Sequence, residues 1–247
     1  MIENRHLIFP TIFRPLTNVA SAMSTKLGGT NFLPFGMNLS FKVGDRDESV
    51  KANRQQFFAA LGTNAEQVIQ PNQVHSSTIV DASSFDGGVE CDGLVTNQTG
   101  RYLAISVADC SPILLASKNG NVVAAVHAGW RGTAKGIVPK AVKTMQEQFR
   151  IGPDEILAWI GPSASACCYQ VGQEVADQFA PSEVRTEAGR HFLNLKLANR
   201  NQLLEAGLAE RNIEIHPACT ICEKETFHSF RRDASRSGRM LAIIGIQ

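Results

Sequence analysis

The chain has 247 residues, with 24 Lys and Arg against 23 Asp and Glu, a formal net charge of +1 with histidine neutral. That balance excludes a nucleic-acid binder working by bulk electrostatics, which carries a strong basic excess. A composition 43% hydrophobic and 19% charged excludes disordered and collagen-like chains.

The opening Met1-Ile2-Glu3-Asn4-Arg5-His6 lacks the charged-then-apolar pattern of an export signal, and no apolar run approaches the roughly 20 residues that cross a bilayer. The expectation is a cytoplasmic protein with no membrane or nucleic-acid partner. No linker-like tract or fixed-period repeat divides the chain, so residues 1–247 read as a single catalytic domain.

In chain order, residues 49–61 are predicted as a helix, because Val50, Arg54, Phe57 and Leu61 fall at helical spacing and Gly62 stops it. Residues 103–117 form a dense apolar stretch interrupted by Pro112 and read as buried strand. Asn119-Gly120 then signals a tight hairpin, with residues 121–127 as the returning strand. A two-residue turn pairs Lys118 with Asn121, and that register sets Pro112 opposite His127 and Cys110 opposite Gly129. The side chains of Cys110 and His127 are thereby brought near one another.

Residues 134–149 carry an apolar stripe (Ile137, Val138, Ala141, Val142, Met145, Phe149) and are predicted as an amphipathic helix. Its lead-in, Ala128-Gly129-Trp130-Arg131-Gly132-Thr133, offers backbone N–H groups beside Arg131 as an anion site for phosphate or carboxylate. Residues 155–161 read as a strand, 171–179 as a short helix, 197–211 as a longer helix and 240–246 as a final buried strand. Strands and helices mix without the regular alternation of a doubly wound sheet, and no Gly-x-Gly-x-x-Gly follows a strand. The fold class is therefore α+β, a layered α/β sandwich with mixed sheets.

Six cysteines without an export signal read as free thiols or metal ligands. His75, Cys110 and His127 sit at strand ends or loop starts, a set that suits a catalytic zinc with an open fourth position or a blue copper with a weak axial methionine. On spacing alone, a buried thiol with two unrelated histidines is the simpler account. Cys219-Thr220-Ile221-Cys222, flanked by His216 and His228, is a competing site for structural zinc, although a second ligand pair is missing. The vicinal Cys167 and Cys168 read as small buried residues.

Several ordered motifs carry a family resemblance. They are Gln73-Val74-His75, Asp92-Gly93-Leu94-Val95-Thr96, Ala108-Asp109-Cys110, His127 through Gly132, Cys168-Tyr169-Gln170-Val171, and Ser229-Phe230-Arg231-Arg232-Asp233 with Gly238-Arg239-Met240. Earlier pieces, Met37-Asn38-Leu39-Ser40 and Asn53-Arg54 among them, extend the match over nearly the whole chain. Together they resemble the YfiH family, once labelled laccase-like polyphenol oxidases and associated with purine nucleoside phosphorylase activity.

The resemblance implies a sandwich shared with a bacterial cytotoxic deamidase fold and a zinc site of His75, Cys110 and His127. It also implies phosphorolysis of adenosine, inosine, guanosine and S-methyl-5′-thioadenosine, with deamination of adenosine, by a protein that could form a homodimer. Zinc would lower the pKa of its bound water to about 7 for attack on the purine carbon bearing the amine. Arg54, Arg131, Asn38 and Gln73 are the expected contacts to phosphate and nucleoside, with Asp109 orienting a ligand or moving a proton. Lys26, Lys42 and Gln170 depart from the family's usual arginine, histidine and glutamate, and leave substrate range open.

Two rival chemistries are weighed against this set. Cys110 as nucleophile with His127 or His75 as base would make an amidase-type hydrolase that edits misincorporated peptidoglycan precursors. A multicopper oxidase needs about ten histidines for its several coppers, and the chain has six.

Overall fold

In four strands the side-chain parity decides which layer each residue joins, because successive residues of a strand face opposite sides of the sheet. The computed structural model describes residues 6–30, 33–85 and 87–247; residues 1–5, read above for a leader, lie outside them. The strands in chain order are β1 (Leu7–Ile8), β2 (Val19–Ser24), β3 (Val68–Ile69), β4 (Ile79–Asp81), β5 (Gly93–Thr96), β6 (Tyr102–Val107) and β7 (Ser111–Ser117). They continue with β8 (Val123–Ala128), β9 (Ile156–Ile160), β10 (Gln170–Val171), β11 (Val184–Glu187), β12 (Arg190–Leu193), β13 (Ile213–Ile215) and β14 (Met240–Ile246). The helices are α1 (Asp47–Ala59), α2 (Trp130–Ala134), α3 (Ile137–Phe149), α4 (Gln173–Ala176), α5 (Leu195–Glu205) and α6 (Phe230–Asp233).

A five-stranded sheet runs β1-β2-β14-β6-β3 and a six-stranded sheet runs β13-β9-β7-β8-β5-β4, both mixed, with a small third sheet of β10, β12 and β11. Leu103, Ile105, Ala242 and Ile244 from the first large sheet meet Leu114, Ala116, Val123 and Ala125 from the second in one buried cluster. Their odd and even neighbours face outward. Ala104, Leu241 and Ile243 pack under Phe57 and Phe58 of α1, whereas Ile113, Leu115, Ala124 and Val126 pack under α3 and Leu203 of α5. The architecture is α+β, with two face-to-face sheets covered by helices on both outer sides.

Four predicted elements are corrected. The stretch 103–117 is two strands in two different sheets, β6 and β7, separated by a corner at Ala108-Asp109-Cys110 where Asp109 takes φ 88°. Both strands are covered on both faces, so their apolarity is continuous and hides the change of sheet. The helix expected at 134–149 is α2 followed by α3, broken where Gly136 adopts φ 70°. Residues 171–179 hold the end of β10 and the short α4, and the helix expected at 197–211 begins earlier, where the Asn194 side chain accepts the Leu197 N–H, and ends at Glu205.

The hairpin register holds, with Pro112 opposite His127 and Ser111 opposite Ala128. Its turn is wider than two residues. The Ser117 N–H donates to Val122 O, while Ser117 Oγ accepts the N–H groups of Asn121 and Val122, which a two-residue turn would have placed in the ladder.

Candidate active site

His75 follows β3 in a loop, Cys110 sits on the corner between β6 and β7, and His127 occupies the penultimate position of β8. Their ligating atoms all lie within 4.8 Å of one another. The two imidazoles meet edge-on, with ring centroids 4.9 Å apart and an interplanar angle of 77°. Gly129 leaves room for the cluster: a Cβ there would lie 2.9 Å from Cys110 Sγ and 3.3 Å from His75 Cδ2.

The residue that organises this cluster is Asp92, which the sequence reading placed in a motif without giving it a role. It is completely buried, one residue before β5. Its Oδ1 lies 2.8 Å from His127 Nδ1 and accepts the His75 N–H at 3.0 Å, while Oδ2 accepts the Val74 N–H, the Ser76 N–H and the Ser76 hydroxyl. Burial by itself would raise the carboxyl, but the bonds from His127 and Ser76 hold it at about 2. An ionised carboxylate only accepts, so His127 Nδ1 donates and Nε2 is the atom left for the cluster. The same acceptor set holds His75 at φ 59°, a strained conformation for a non-glycine residue that the surrounding bonds sustain.

Cys110 and His127 shift each other strongly. Burial pushes the Cys110 thiol up, yet the imidazoles of His127 and His75 outweigh it and bring the thiol down to about 6. Burial likewise pulls His127 down, and the Cys110 thiolate with the Asp92 carboxylate raises it to about 9. The thiol is thus prepared as a thiolate, the form that ligates metal or attacks carbon.

The cluster opens into a cavity of about 970 Å³. Among its described lining residues, Lys42, Arg54, Arg131, Arg231 and Arg239 are cationic and Asp109 is the one carboxylate. Phe41 and Phe230 line it while still 45% and 55% exposed, and each faces a guanidinium, Arg54 at 5.6 Å and Arg239 at 5.3 Å from the ring centroid. Arg131 stacks over Trp130 at 4.4 Å, at the start of α2.

The remaining expected contacts differ in what they can still do. Arg54 and Gln73 reach the cavity, although Arg54 Nη1 already donates to Leu39 O and Gln70, and the Gln73 amide exchanges two hydrogen bonds with the Ser106 backbone. Asn38 is corrected: it is fully buried, does not line the cavity, and spends its amide on Ser40, Asp45 and Arg239. Asp109 lines the cavity, but its oxygens accept from the Thr220 hydroxyl and the Arg231 N–H, each at 2.7 Å. The carboxylate that orients His127 is Asp92. Sequence reasoning also missed Tyr169, whose phenol is pushed upward first by burial and then by Cys110, and so stays a donor at the cavity wall.

The second expected site is rebuilt as well. Neither His216 nor His228 joins Cys219 and Cys222; His216 packs edge-on against Trp159 and His228 is buried elsewhere. Cys167 and Cys168 join instead, with Cys167 exposed and Cys168 half-buried.

Residues 20–247 match the family described as multi-copper polyphenol oxidoreductase laccase. The chain is 36% identical over 250 residues to the purine nucleoside phosphorylase YlmD of Geobacillus stearothermophilus, covering 94% of this chain and 91% of that one. It is 37% identical over 244 residues to a purine nucleoside phosphorylase of Deinococcus radiodurans, covering 96% and 93%. The crystal structure of YfiH, a hypothetical protein of Bacillus licheniformis, superposes with a TM-score of 0.87 at 31% identity, over 93% of both chains.

Proposed function

The chain belongs to the multi-copper polyphenol oxidoreductase laccase family, and from the ligand cluster at the foot of its basic cavity we propose a zinc-dependent purine nucleoside phosphorylase. The substrates are adenosine, inosine, guanosine and S-methyl-5′-thioadenosine with inorganic phosphate, and adenosine is also deaminated. The carrying observation is the pairing of exposed aromatic rings with guanidinium groups around a His-Cys-His cluster. A flat purine and a phosphate dianion both find their complements there.

The donor set fits zinc: two imidazoles and one thiolate complete a three-ligand zinc site with one open position. When bound at His75, Cys110 and His127, the metal supplies Lewis-acid polarisation at the cavity floor.

The protein's own groups do the rest. Arg131 and Arg54 hold the phosphate and aim an oxygen at the anomeric carbon; the new C–O bond forms as the glycosidic C–N bond breaks and its electron pair leaves with the base. Phe41 and Phe230 fix the plane of the base, and the protonated Tyr169 donates at the wall. Positioning of this kind is worth several kcal/mol of barrier in bimolecular displacement.

One observation favours a second reading. Asp92, His127 and Cys110 form an acid–imidazole–thiol series with the thiol already lowered, which is the arrangement of a cysteine hydrolase acting on an amide of a peptidoglycan precursor.

The test is product analysis by mass spectrometry of adenosine incubated with metal-replete protein, with and without phosphate, beside His75→Ala. Free adenine and ribose 1-phosphate formed only with phosphate, inosine formed in both conditions, and loss of all three in the variant are expected. No product from metal-replete protein overturns the phosphorylase reading in favour of the hydrolase.

A further inference from the structure

Cys167, Cys168, Cys219 and Cys222 bring their four sulfurs within 4.8 Å of one another, and Thr220, between the last two, donates its hydroxyl to Asp109 beside Cys110. We propose that these four thiolates bind a second zinc ion, one of structural type. The tetrathiolate assignment stands apart from the phosphorylase reading, while the count of two ions also rests on zinc at the His75 cluster; one zinc with about four sulfur ligands would support the first and overturn the second.

The geometry is that of a closed tetrathiolate site. Sγ of Cys222 lies 3.5 Å from that of Cys167 and 2.8 Å from that of Cys168, and the Cys167 and Cys168 sulfurs are 3.5 Å apart. A zinc–sulfur bond of about 2.3 Å gives tetrahedral edges of about 3.8 Å, so occupancy asks the sulfurs to spread by up to about 1 Å. All six cysteines of the chain are free thiols. A disulfide would use two of these four and leave two thiols facing it, whereas a soft divalent ion uses all four.

The backbone on both sides is shaped for the purpose. Cys219 and Cys222 stand at Cys-x-x-Cys spacing in a turn closed by the Glu223 N–H on Cys219 O, and the N–H groups of Cys222, Ser165 and Ile221 point at the Cys219 sulfur. The vicinal pair arrives on a second turn, where the N–H groups of Cys168 and Tyr169 both donate to Ser165 O. The two turns are registered to each other by the bridge between Ser163 and Cys219.

Four thiolates and one zinc carry two net negative charges, and cations stand around the cluster. The buried Lys196 of α5 donates from Nζ to the carbonyls of His216, Pro217 and Ala218, the run that leads into Cys219. Arg232 donates to Thr220 O and Ile221 O between the two cysteines, and Arg185 donates to Ala166 O just before Cys167.

This second ion would brace the catalytic wall. Tyr169 follows Cys168 directly, Thr220 donates to Asp109 beside Cys110, and Arg231 spans Gln170 O and Asp109.

The deciding experiment is zinc content by inductively coupled plasma mass spectrometry on protein purified under reducing conditions. About two zinc ions per chain are expected for the native protein, and about one each for His75→Ala and for Cys222→Ser, whose substituted thiol is exposed. X-ray absorption at the zinc edge of the native protein is a second measurement that needs no variant. It is expected to report about 2.5 sulfurs per zinc, against about one from a His-Cys-His site alone. A native protein with one zinc and one sulfur ligand overturns the proposal, as does a zinc content untouched by Cys222→Ser. A non-reduced mass 2 Da low from a Cys168–Cys222 disulfide in protein holding a single zinc overturns it equally.

Discussion

The Nδ1 of His127 lies 2.8 Å from Asp92 Oδ1, and that same oxygen accepts the His75 N–H, so one buried carboxylate aims two of the three candidate ligands. Asp92→Asn keeps the shape and removes the charge. Zinc affinity at the cluster is expected to fall by about 10- to 100-fold, the usual cost of losing a ligand's hydrogen-bonded carboxylate, measured by competition with a chromogenic chelator. Affinity within twofold of native would show that the loop alone fixes the imidazoles.

Gly129 has an ordinary extended backbone at φ −76°, so alanine is conformationally acceptable there. Its methyl group would nevertheless press on Cys110 Sγ at 2.9 Å. Gly129→Ala is expected to lower the melting temperature of the metal-free protein by roughly 2–12 °C and metal occupancy and turnover at least about tenfold. Crowding of this kind costs about 1–3 kcal/mol. Full occupancy in the variant would refute the reading.

In metal-free protein the alkylation of Cys110 by iodoacetamide, followed on its own peptide by mass spectrometry, is expected to rise through a midpoint near pH 6. Burial opposes this and the two imidazoles impose it, so His127→Gln is expected to move the midpoint upward by more than one pH unit. Zinc is expected to protect the thiol. A native midpoint near 9 would show that the imidazoles do not govern Cys110.

His228 is wholly buried with both ring nitrogens unpartnered. Burial first, then Lys26 and Arg239, pull its pKa from 6.5 to about 3. Between those values the unfolded chain binds a proton that the folded one refuses, so stability falls as pH drops through this window, by about 1.4 kcal/mol per pH unit. Urea titrations from pH 7 to 4 are expected to show a shallower loss in His228→Phe than in the native protein; parallel slopes would remove His228 from the account.

Arg131 stands in the cavity with its guanidinium on the Trp130 ring. In the proposed phosphorolysis Arg131→Met is expected to raise the KM for phosphate by about 10- to 100-fold, the value of one charge-assisted bond, with the KM for inosine changed less than threefold. Equal rises for both substrates would assign Arg131 to the architecture of the wall.

The Asn119-Gly120 signal places the β7–β8 hairpin at the centre of the second large sheet, because turn chemistry is local. The same locality made Cys110 and His127 neighbours on paper, through a register that the wider turn leaves intact. What escaped was set by tertiary contact. Asp92 gathers donors from residues 74–76 and 127, and nothing in its own neighbourhood announces an acceptor of that reach. Asn38 looked like a polar contact for a ligand, yet its amide closes its own loop against Arg239. The sheet change at Asp109 was hidden because the strands on both sides of it are apolar on both faces, so the short polar corner reads as an interruption of one strand. Adjacent residues seldom share one mononuclear site, but the turn at Ser165 brings both Cys167 and Cys168 to the Cys-x-x-Cys loop.

His75 follows a strand of one large sheet, His127 lies within a strand of the other, and Cys110 occupies the corner that carries the chain between them. In sequence they are 35 and 17 positions apart, so an ion held by all three closes two long loops and fastens the layers at one end. Folding and metal loading then draw on the same equilibrium. At a free ion concentration a thousandfold above its dissociation constant the native state gains about 4 kcal/mol. A cell short of that ion would therefore lose folded protein along with activity, and the amount of the enzyme would itself register metal supply.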